Sequence, residues 1–238
     1  MKSEPFHFKQ FVVEQEGTTL KVNTDAVLLG ALAAHPSPEH ILDIGTGTGV
    51  IALMLAQRFS EAKVDAVEMD AQAAENAGRN FERSPFAQRL SSYPDRFQNF
   101  FENHPERRYD LIVSNPPYFI DALLSPNEKL RMAKHSGFSF FEELLALCAI
   151  FTRENGRLWL ILPPDTLEQV APMITKHNWL INKKIYIQDR PGKRIRRVVT
   201  ELGKDGQYQS GGHFSIRDAW GNYDPKYCSL LRDFLTVF

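Results

Sequence analysis

His40-Ile41-Leu42-Asp43-Ile44-Gly45-Thr46-Gly47-Thr48-Gly49-Val50 is the stretch on which the fold turns. Residues 40–44 are a short, mostly apolar run that ends at a glycine turn, the pattern of a buried strand. Three glycines at alternate positions then allow a tight turn and the close approach of a ligand to the main chain. From Val50 to Phe59 the period changes: Val50, Leu53, Met54 and Ala56 recur at helical spacing. Strand, glycine loop and helix in this order open a βαβ unit.

The same alternation continues outward. Lys63–Glu68 reads as a strand, Ala71–Glu82 as an Ala-rich helix, and Tyr109–Ser114 as a strand stopped by Pro116 and Pro117. Phe140–Phe151 is apolar and helical; Gly156–Leu162 is strand-like and stops at Pro163-Pro164. Asp165 is expected to cap a helix that runs to about His177. Such alternation implies a parallel sheet covered by helices on both faces. The end of the chain differs. Leu180–Gln188 and Ile195–Leu202 flank Asp189-Arg190-Pro191-Gly192-Lys193, and Pro-Gly between two β-rich runs predicts an antiparallel hairpin. Tyr223–Phe238 is expected to close the fold as a helix, with Leu230, Leu231, Phe234 and Leu235 facing inward. With no repeat and no long linker, residues 1–238 read as one domain, residues 1–22 being a short N-terminal extension.

The glycine loop discriminates between ligands. A dinucleotide site wants G-x-G-x-x-G with the pyrophosphate at the helix N-terminus; here the third glycine comes one residue early, at Gly49, and Val50 takes its place. Asp43, just before the first glycine, would repel a pyrophosphate and attract a cationic amino-acid ligand. S-adenosylmethionine is such a ligand, with an ammonium, a sulfonium and no phosphate. Glu68, at the end of the second strand, can accept hydrogen bonds from ribose hydroxyls of either cofactor type and does not discriminate.

Ser114-Asn115-Pro116-Pro117-Tyr118 is, taken alone, a proline-rich turn. At the carboxyl end of a sheet strand it has a chemical reading. A conjugated amino nitrogen, such as the adenine amine or a glutamine amide, is a poor nucleophile. The Asn115 carboxamide oxygen and the Pro116 carbonyl can each accept one of its N–H bonds and hold it in line for attack. Pro116 and Pro117 preorganise the backbone, and Tyr118 can stack on a flat substrate. No strong general base is needed, and a base in a duplex would have to be flipped out.

Charge is uneven along the chain. The net charge is −1, which argues against a general nucleic-acid coat. Residues 1–175 hold 16 Lys and Arg against 23 Asp and Glu, whereas residues 176–204 hold nine bases against two acids. The basic block falls on the hairpin, where it is either a solvated face or the footprint of a phosphate backbone. No apolar run approaches the roughly 18 residues of a membrane helix, and Met1-Lys2-Ser3-Glu4-Pro5-Phe6 lacks the apolar stretch of a leader. Cys148 and Cys228 have neither metal-ligand nor redox spacing, so a reduced cytoplasmic setting is expected. Cys148 reads as core. His7, His104, His177 and His213 lack partners at ligand spacing, and no metal is expected; His135 reads as structural more readily than catalytic.

With both loops in place, the chain resembles the class I methyltransferases, and Asn115-Pro116-Pro117-Tyr118 resembles the signature of their N6-adenine and N5-glutamine branch. A narrower resemblance runs along nearly the whole chain, carried by Phe8-Lys9-Gln10-Phe11, Lys21-Val22-Asn23-Thr24-Asp25-Ala26-Val27-Leu28-Leu29-Gly30, Arg131-Met132-Ala133-Lys134-His135 and Arg190-Pro191-Gly192. These are similar to the bacterial family that makes N6-methyladenosine at position 37 of valine tRNA. The resemblance implies a Rossmann-like α/β fold with a mostly parallel seven-stranded sheet and a terminal antiparallel hairpin over 178–204. Residues 1–35 would supply the extension and a helix over the cofactor. It implies that Lys21, Thr24, Asp25, Asp43, Gly45, Gly47 and Gly49 surround the methionine end of S-adenosylmethionine, and that Glu68 holds ribose. Asn115 to Tyr118 would hold adenine, and Arg190, Lys193, Arg194, Arg196 and Arg197 would meet tRNA. Asp95 stands for an acid expected against the cofactor adenine, although Ser92–Phe97 is one residue shorter than the family pattern. A cytoplasmic monomer is expected.

Three other readings share features with this one. A release-factor glutamine methyltransferase shares the catalytic loop but usually carries a substantial N-terminal helical domain, and only about 40 residues precede Asp43. A DNA adenine methyltransferase would want a target-recognition domain. A cofactor-binding regulator with a dead site would not need Asn115 and Tyr118.

Overall fold

The computed structural model describes residues 4–16, 21–117, 128–206 and 208–238, with the backbone alone for 128–136. Tyr118 and the side chains of Arg131 to His135 therefore lie outside the described residues.

One sheet organises the chain. Its strands are β3 (His40–Ile44), β4 (Lys63–Glu68), β5 (Leu90–Pro94), β6 (Tyr109–Ser114), β7 (Thr152–Leu162), β8 (Leu180–Gln188), β9 (Ile195–Gly203) and β10 (Gln209–Ser215), in spatial order β10-β8-β9-β7-β6-β3-β4-β5. β1 (Phe6–His7) and β2 (Val12–Val13) form a separate small hairpin. Pairing is parallel from β5 through β7; β9 is antiparallel to both β7 and β8, and β10 is parallel to β8. Only β9 therefore runs against the rest of the sheet.

Successive side chains of a strand point to opposite faces, and here both faces are apolar. Ile41, Leu111, Val113, Trp159 and Ile161 join the core shared with α1 (Thr24–Leu32), α2 (Val50–Arg58), α3 (Ala71–Glu82) and α7 (Pro225–Leu231). Leu42, Ile44, Ile112, Leu158, Leu160 and Leu162 join the core under α4 (Phe97–Asn103), α5 (Glu128–Phe151) and α6 (Pro164–Lys176). The three-layer arrangement is the one expected from the alternation. Cys148 is fully buried in the second core, and that burial pushes its thiol well above the ordinary range, as suits a core residue rather than a nucleophile.

The structure departs from the sequence reading in several elements. The sheet has eight strands, not seven. β10, Gln-Ser-Gly-Gly-His-Phe-Ser, carries little β propensity, and a bulge between Ser210 and His213 places Gly212 at φ 71°. β5 and α4 fall in a stretch where the sequence shows no clear period. α5 starts at Glu128 rather than Phe140, and β7 starts at Thr152 rather than Gly156. The residue before α6 is Pro163; Asp165 sits in the first turn instead of capping it. The closing helix covers only Pro225–Leu231, capped by Asp224, although Leu231, Phe234 and Leu235 are buried as expected. The hairpin turn is as read: the Lys193 N–H donates to the Arg190 carbonyl at 3.0 Å, and Gly192 adopts φ 76°.

Two segments brace this frame. Phe8 bridges Leu235, the Lys9 N–H donates to the Phe234 carbonyl at 2.7 Å, and the Asn76 and Asn80 amides donate to the Glu14 carbonyl, so the N-terminal segment straps α3 to the end of the chain. Gly49 starts α2 at φ 84°, and a Cβ there would come within 2.5 Å of the Phe81 ring. Gly49→Ala should therefore lower unfolding free energy by about 2–4 kcal/mol, the left-handed backbone and the overlap with Phe81 both contributing; chemical denaturation at constant m-value measures it.

Candidate functional site

The chain order changes direction between β3 and β6. After β3 it builds outward through β4 and β5, then returns to lay β6 on the other side of β3. Such a switch point opens a crevice at the carboxyl ends of the two strands. Here Ile44 is paired with Ser114, and the Ser114 hydroxyl donates to the Ile44 carbonyl at 2.8 Å. Gly45 and Asn115, the next residues of the two strands, thus leave the sheet side by side.

A cavity of about 720 Å³ lies at this edge. Its lining includes Gly45, Thr46 and Gly47 from the glycine loop, Glu68, Met69 and Asp70 after β4, and Asp95, Arg96 and Phe97 after β5. Ser114 to Pro117 line it after β6, Lys21, Asn23, Asp25 and Ala26 at the start of α1, and Phe140 from α5. The lining holds four carboxylates, of Asp25, Glu68, Asp70 and Asp95, against the cations of Lys21 and Arg96. That balance suits a cationic ligand and opposes a polyphosphate. A second cavity, about 660 Å³, lies at the opposite end of the strands; Arg107 there pairs with Asp65 at 2.7 Å and Arg153 with Asp110 at 2.9 Å, a structural network.

The glycine loop is fixed by hydrogen bonds from below. The N–H groups of Gly45 and Thr46 donate to the Val67 carbonyl at 2.8 and 3.2 Å, tying the loop to the neighbouring strand. Glu68 accepts from the N–H of Gly47 and of Asp70, each at 3.0 Å. A hypothetical Cβ on Gly45 would meet nothing within 4 Å, so this turn faces open cavity.

Asp43 is placed differently from the expectation. It does not line the cavity but is fully buried behind the loop. One oxygen, Oδ2, accepts from the Thr46 hydroxyl at 2.6 Å; the other, Oδ1, is buried with no hydrogen-bond partner. Burial pushes its pKa up to about 7; hydrogen bonds from Thr46 and the Ala52 backbone oppose this, while the negative Glu68 adds to it. A buried carboxyl with an orphaned oxygen is stabilised by a nearby positive charge.

Other expected residues sort into three groups. Lys21, Asp25, Gly45, Gly47, Glu68, Asp95, Asn115, Pro116 and Pro117 are brought together at the cavity. The shortened Ser92–Phe97 stretch still delivers Asp95, whose Oδ1 accepts from the Arg96 N–H at 2.8 Å and the Asn99 amide at 3.0 Å. Thr24 and Gly49 are not in the lining: Thr24 is exposed in the first turn of α1, whose cap is Asn23, and Gly49 packs on Phe81. Of the basic hairpin residues, Arg190, Lys193, Arg194 and Arg196 are exposed, Arg194 in a solvent-facing pair with Asp165 at 3.3 Å. Arg190 pairs with Asp189 at 3.4 Å. Arg197 is half-buried and donates through Nε to Asp25 at 2.6 Å, across 172 residues of sequence, which ties the hairpin to the cavity rim. Met69, Phe97 and Phe140 also line the cavity, which the sequence did not show. Phe140 packs edge-on against Phe97 at 5.6 Å, and neither carries a motif that distinguishes a lining aromatic from a core one. The histidines set aside have structural surroundings: His177 meets Glu142 at 2.9 Å, and His213 stacks on Tyr186.

Known proteins resemble this chain in sequence and in fold. Residues 22–166 match the family described as the methyltransferase small domain. A tRNA1(Val) (adenine(37)-N6)-methyltransferase of Pedobacter heparinus is 41% identical over 98% of this chain and 98% of its own length. One of Yersinia enterocolitica is 38% identical over 96% of this chain and 91% of its own. Among solved structures, a predicted O-methyltransferase from Agrobacterium tumefaciens superposes with TM-score 0.68 at 20% identity, covering 88% of this chain and 96% of the other. A methyltransferase from Pyrococcus furiosus gives 0.53 at 23%, covering 79% and 90%. Both show the fold.

The buried Asp43 carboxyl leads to a pH signature. Its folded pKa lies above the unfolded value of 3.8, so between about pH 4 and 7 the folded state binds more protons than the unfolded state, and stability is lost as pH rises through that window. Asp43→Asn removes this loss. The melting temperature of the variant relative to the wild type, both ligand-free, should climb from pH 4 to about 7 and then level; a pH-independent difference would mean that Asp43 does not titrate there.

Proposed function

The chain belongs to the methyltransferase small domain family, and we propose that it transfers a methyl group from S-adenosylmethionine to the N6 amine of adenine 37 in tRNA1(Val). The observation that carries the chemistry is the placement of Asn115 beside Gly45 at the strand switch point. The substrate class is supported by relatives that align over nearly their full length and by the exposed bases of the hairpin.

S-adenosylmethionine supplies an electrophilic methyl group on a sulfonium. In the proposed arrangement Gly45 and Gly47 admit its methionine end to the main chain, Asp43 draws its ammonium from behind the loop, and Glu68 accepts from ribose. Asp95 and its neighbours receive the adenine. Lys21 and Asp25 close the rim above the methionine end. On the other side, the Asn115 carboxamide oxygen and the Pro116 carbonyl accept the two N–H bonds of the target amine. This aims its lone pair at the methyl group and favours pyramidal nitrogen as the bond forms. Pro117 limits the backbone freedom of the loop, and Tyr118 is assigned to the face of the target base. The methylated ammonium product is acidic enough to lose its proton to water, so no strong base is required of the chain.

In this reading residues 1–238 act as one methyltransferase domain, residues 1–35 supply an extension and a helix over the cofactor, and the hairpin at 178–204 faces RNA. Lys193, Arg194 and Arg196 meet phosphates. Arg190, also exposed, joins them from the hairpin turn, while Arg197, half-buried and bound to Asp25, orients the hairpin. No described helix is long and apolar enough to cross a membrane; a cytoplasmic, monomeric enzyme is the setting proposed.

Incubation with methyl-labelled cofactor and unmodified valine tRNA, followed by digestion to nucleosides, should yield labelled N6-methyladenosine. Label in a release factor or in DNA instead would replace the proposed substrate. In the same assay Asn115→Ala should lose about 100- to 1,000-fold in turnover, as when a transition-state hydrogen-bonding group is removed, with cofactor affinity retained. Replacing Lys193, Arg194 and Arg196 together by Gln should weaken tRNA binding and reduce the slope of log affinity against log salt by up to about 3, near one for each phosphate left without its cation; an unchanged slope would return these residues to a solvated face.

A further inference from the structure

Trp159 and Trp179 are buried, but Trp220 is 86% exposed. It stands on a built loop rather than a frayed one. The Asp218 carboxylate accepts from the N–H of Trp220 and of Asn222, each at 2.9 Å, and from the Asn222 side-chain amide at 3.2 Å. The Gly221 N–H donates to the Asp218 carbonyl, and the Asp218 N–H to the Asn222 carbonyl. The Arg217 guanidinium caps the far side through the Gly221 carbonyl at 2.9 Å and lies over the Tyr223 ring. The loop therefore fixes the backbone that presents the indole while leaving the ring in solvent.

Its position gives that exposure a purpose. The N–H groups of Ile216 and Arg217 donate to the carbonyls of Gln188 and Asp189, which holds the loop against the hairpin tip. A Cβ on Gly221 would lie 3.6 Å from the Arg190 guanidinium, and Asp189 lies 3.4 Å from Arg190 and 4.0 Å from Arg217. β8 and β10 run parallel to β3 and β6, so this loop and the tip that carries Lys193 and Arg194 leave the sheet at the same edge as Asn115.

We propose that Trp220 is a stacking platform for an unpaired base of the RNA substrate, a nucleotide other than the one methylated, next to the phosphates held by the hairpin. The inference rests on the RNA reading above. A flat exposed ring on a loop held against a basic hairpin tip is the combination that single-stranded RNA uses, because every base offers a π face while its backbone seeks positive charge. A paired stretch keeps its faces stacked internally and would pass the indole by.

Since the other two tryptophans are buried, Trp220 can be followed by its own fluorescence. Acrylamide should quench a solvent-exposed emission component in the wild type that is missing from Trp220→Ala, and saturating unmodified valine tRNA should protect that component, whereas duplex RNA of equal charge should not. Trp220→Ala should weaken tRNA binding about 5- to 150-fold, the range for loss of one base–aromatic stack, with cofactor affinity and salt slope unchanged. Trp220→Phe should recover most of the loss. If tRNA binds and the hairpin variant loses affinity while Trp220 stays open to acrylamide and Trp220→Ala binds normally, the stacking role is wrong and the RNA reading stands. If the wild type binds no tRNA, both fall.

Discussion

The β3–β6 pairing is the constraint from which the site follows. Once those strands lie side by side and parallel, Gly45 and Asn115 must emerge together, since Ile44 and Ser114 are their last paired residues. The Ser114 hydroxyl, bonded to the Ile44 carbonyl, fastens this junction from within the sheet. A cofactor loop and a substrate loop that are 70 residues apart in sequence become two walls of one crevice. The glycine turn gains its shape from β4 on the other side, through the Val67 carbonyl and the Glu68 carboxylate. Three adjacent strands thus determine a geometry that no single motif contains.

Electrostatics and shape then divide the work. A fully buried Asp43 with one orphaned oxygen is costly in the ligand-free protein and favourable beside a cation. On the proposed reading, affinity for the ammonium end is held as a local instability of the fold, behind a loop whose Gly45 leaves room in front. The substrate side carries no comparable buried charge; its groups are neutral carbonyls, suited to a neutral amine that becomes positive only as it reacts.

The sequence made the central βαβ units legible because buried strands such as residues 40–44 and 109–114 are short apolar runs bounded by glycine or proline, and residues 71–82 are rich in alanine, a strong helix former. The glycine loop and Asn115-Pro116-Pro117 were legible because each is a short run of distinctive residue types at the end of an apolar strand. β10 was not, since Gly211 and Gly212 suppress any strand pattern and its pairing depends on the edge offered by β8. The Arg197–Asp25 contact was not legible either, for a related reason. Composition marks a cation but not the carboxylate that waits for it, and Asp25 lies at the other end of the chain. Gly49 was assigned to the ligand when its need is internal, to start a helix against Phe81.

The Asp25–Arg197 contact carries a consequence for how such a chain can vary. It joins a residue on the cavity rim to one on the hairpin, so a substitution at either position alone breaks the half-buried ion pair between them. The rim and the hairpin are thereby coupled, and the effect of a change at one position depends on the residue at the other. Lys193 and Arg196, exposed on the hairpin, are held by no such half-buried partner, and could be retuned for a different nucleic acid without disturbing the chemistry at Asn115.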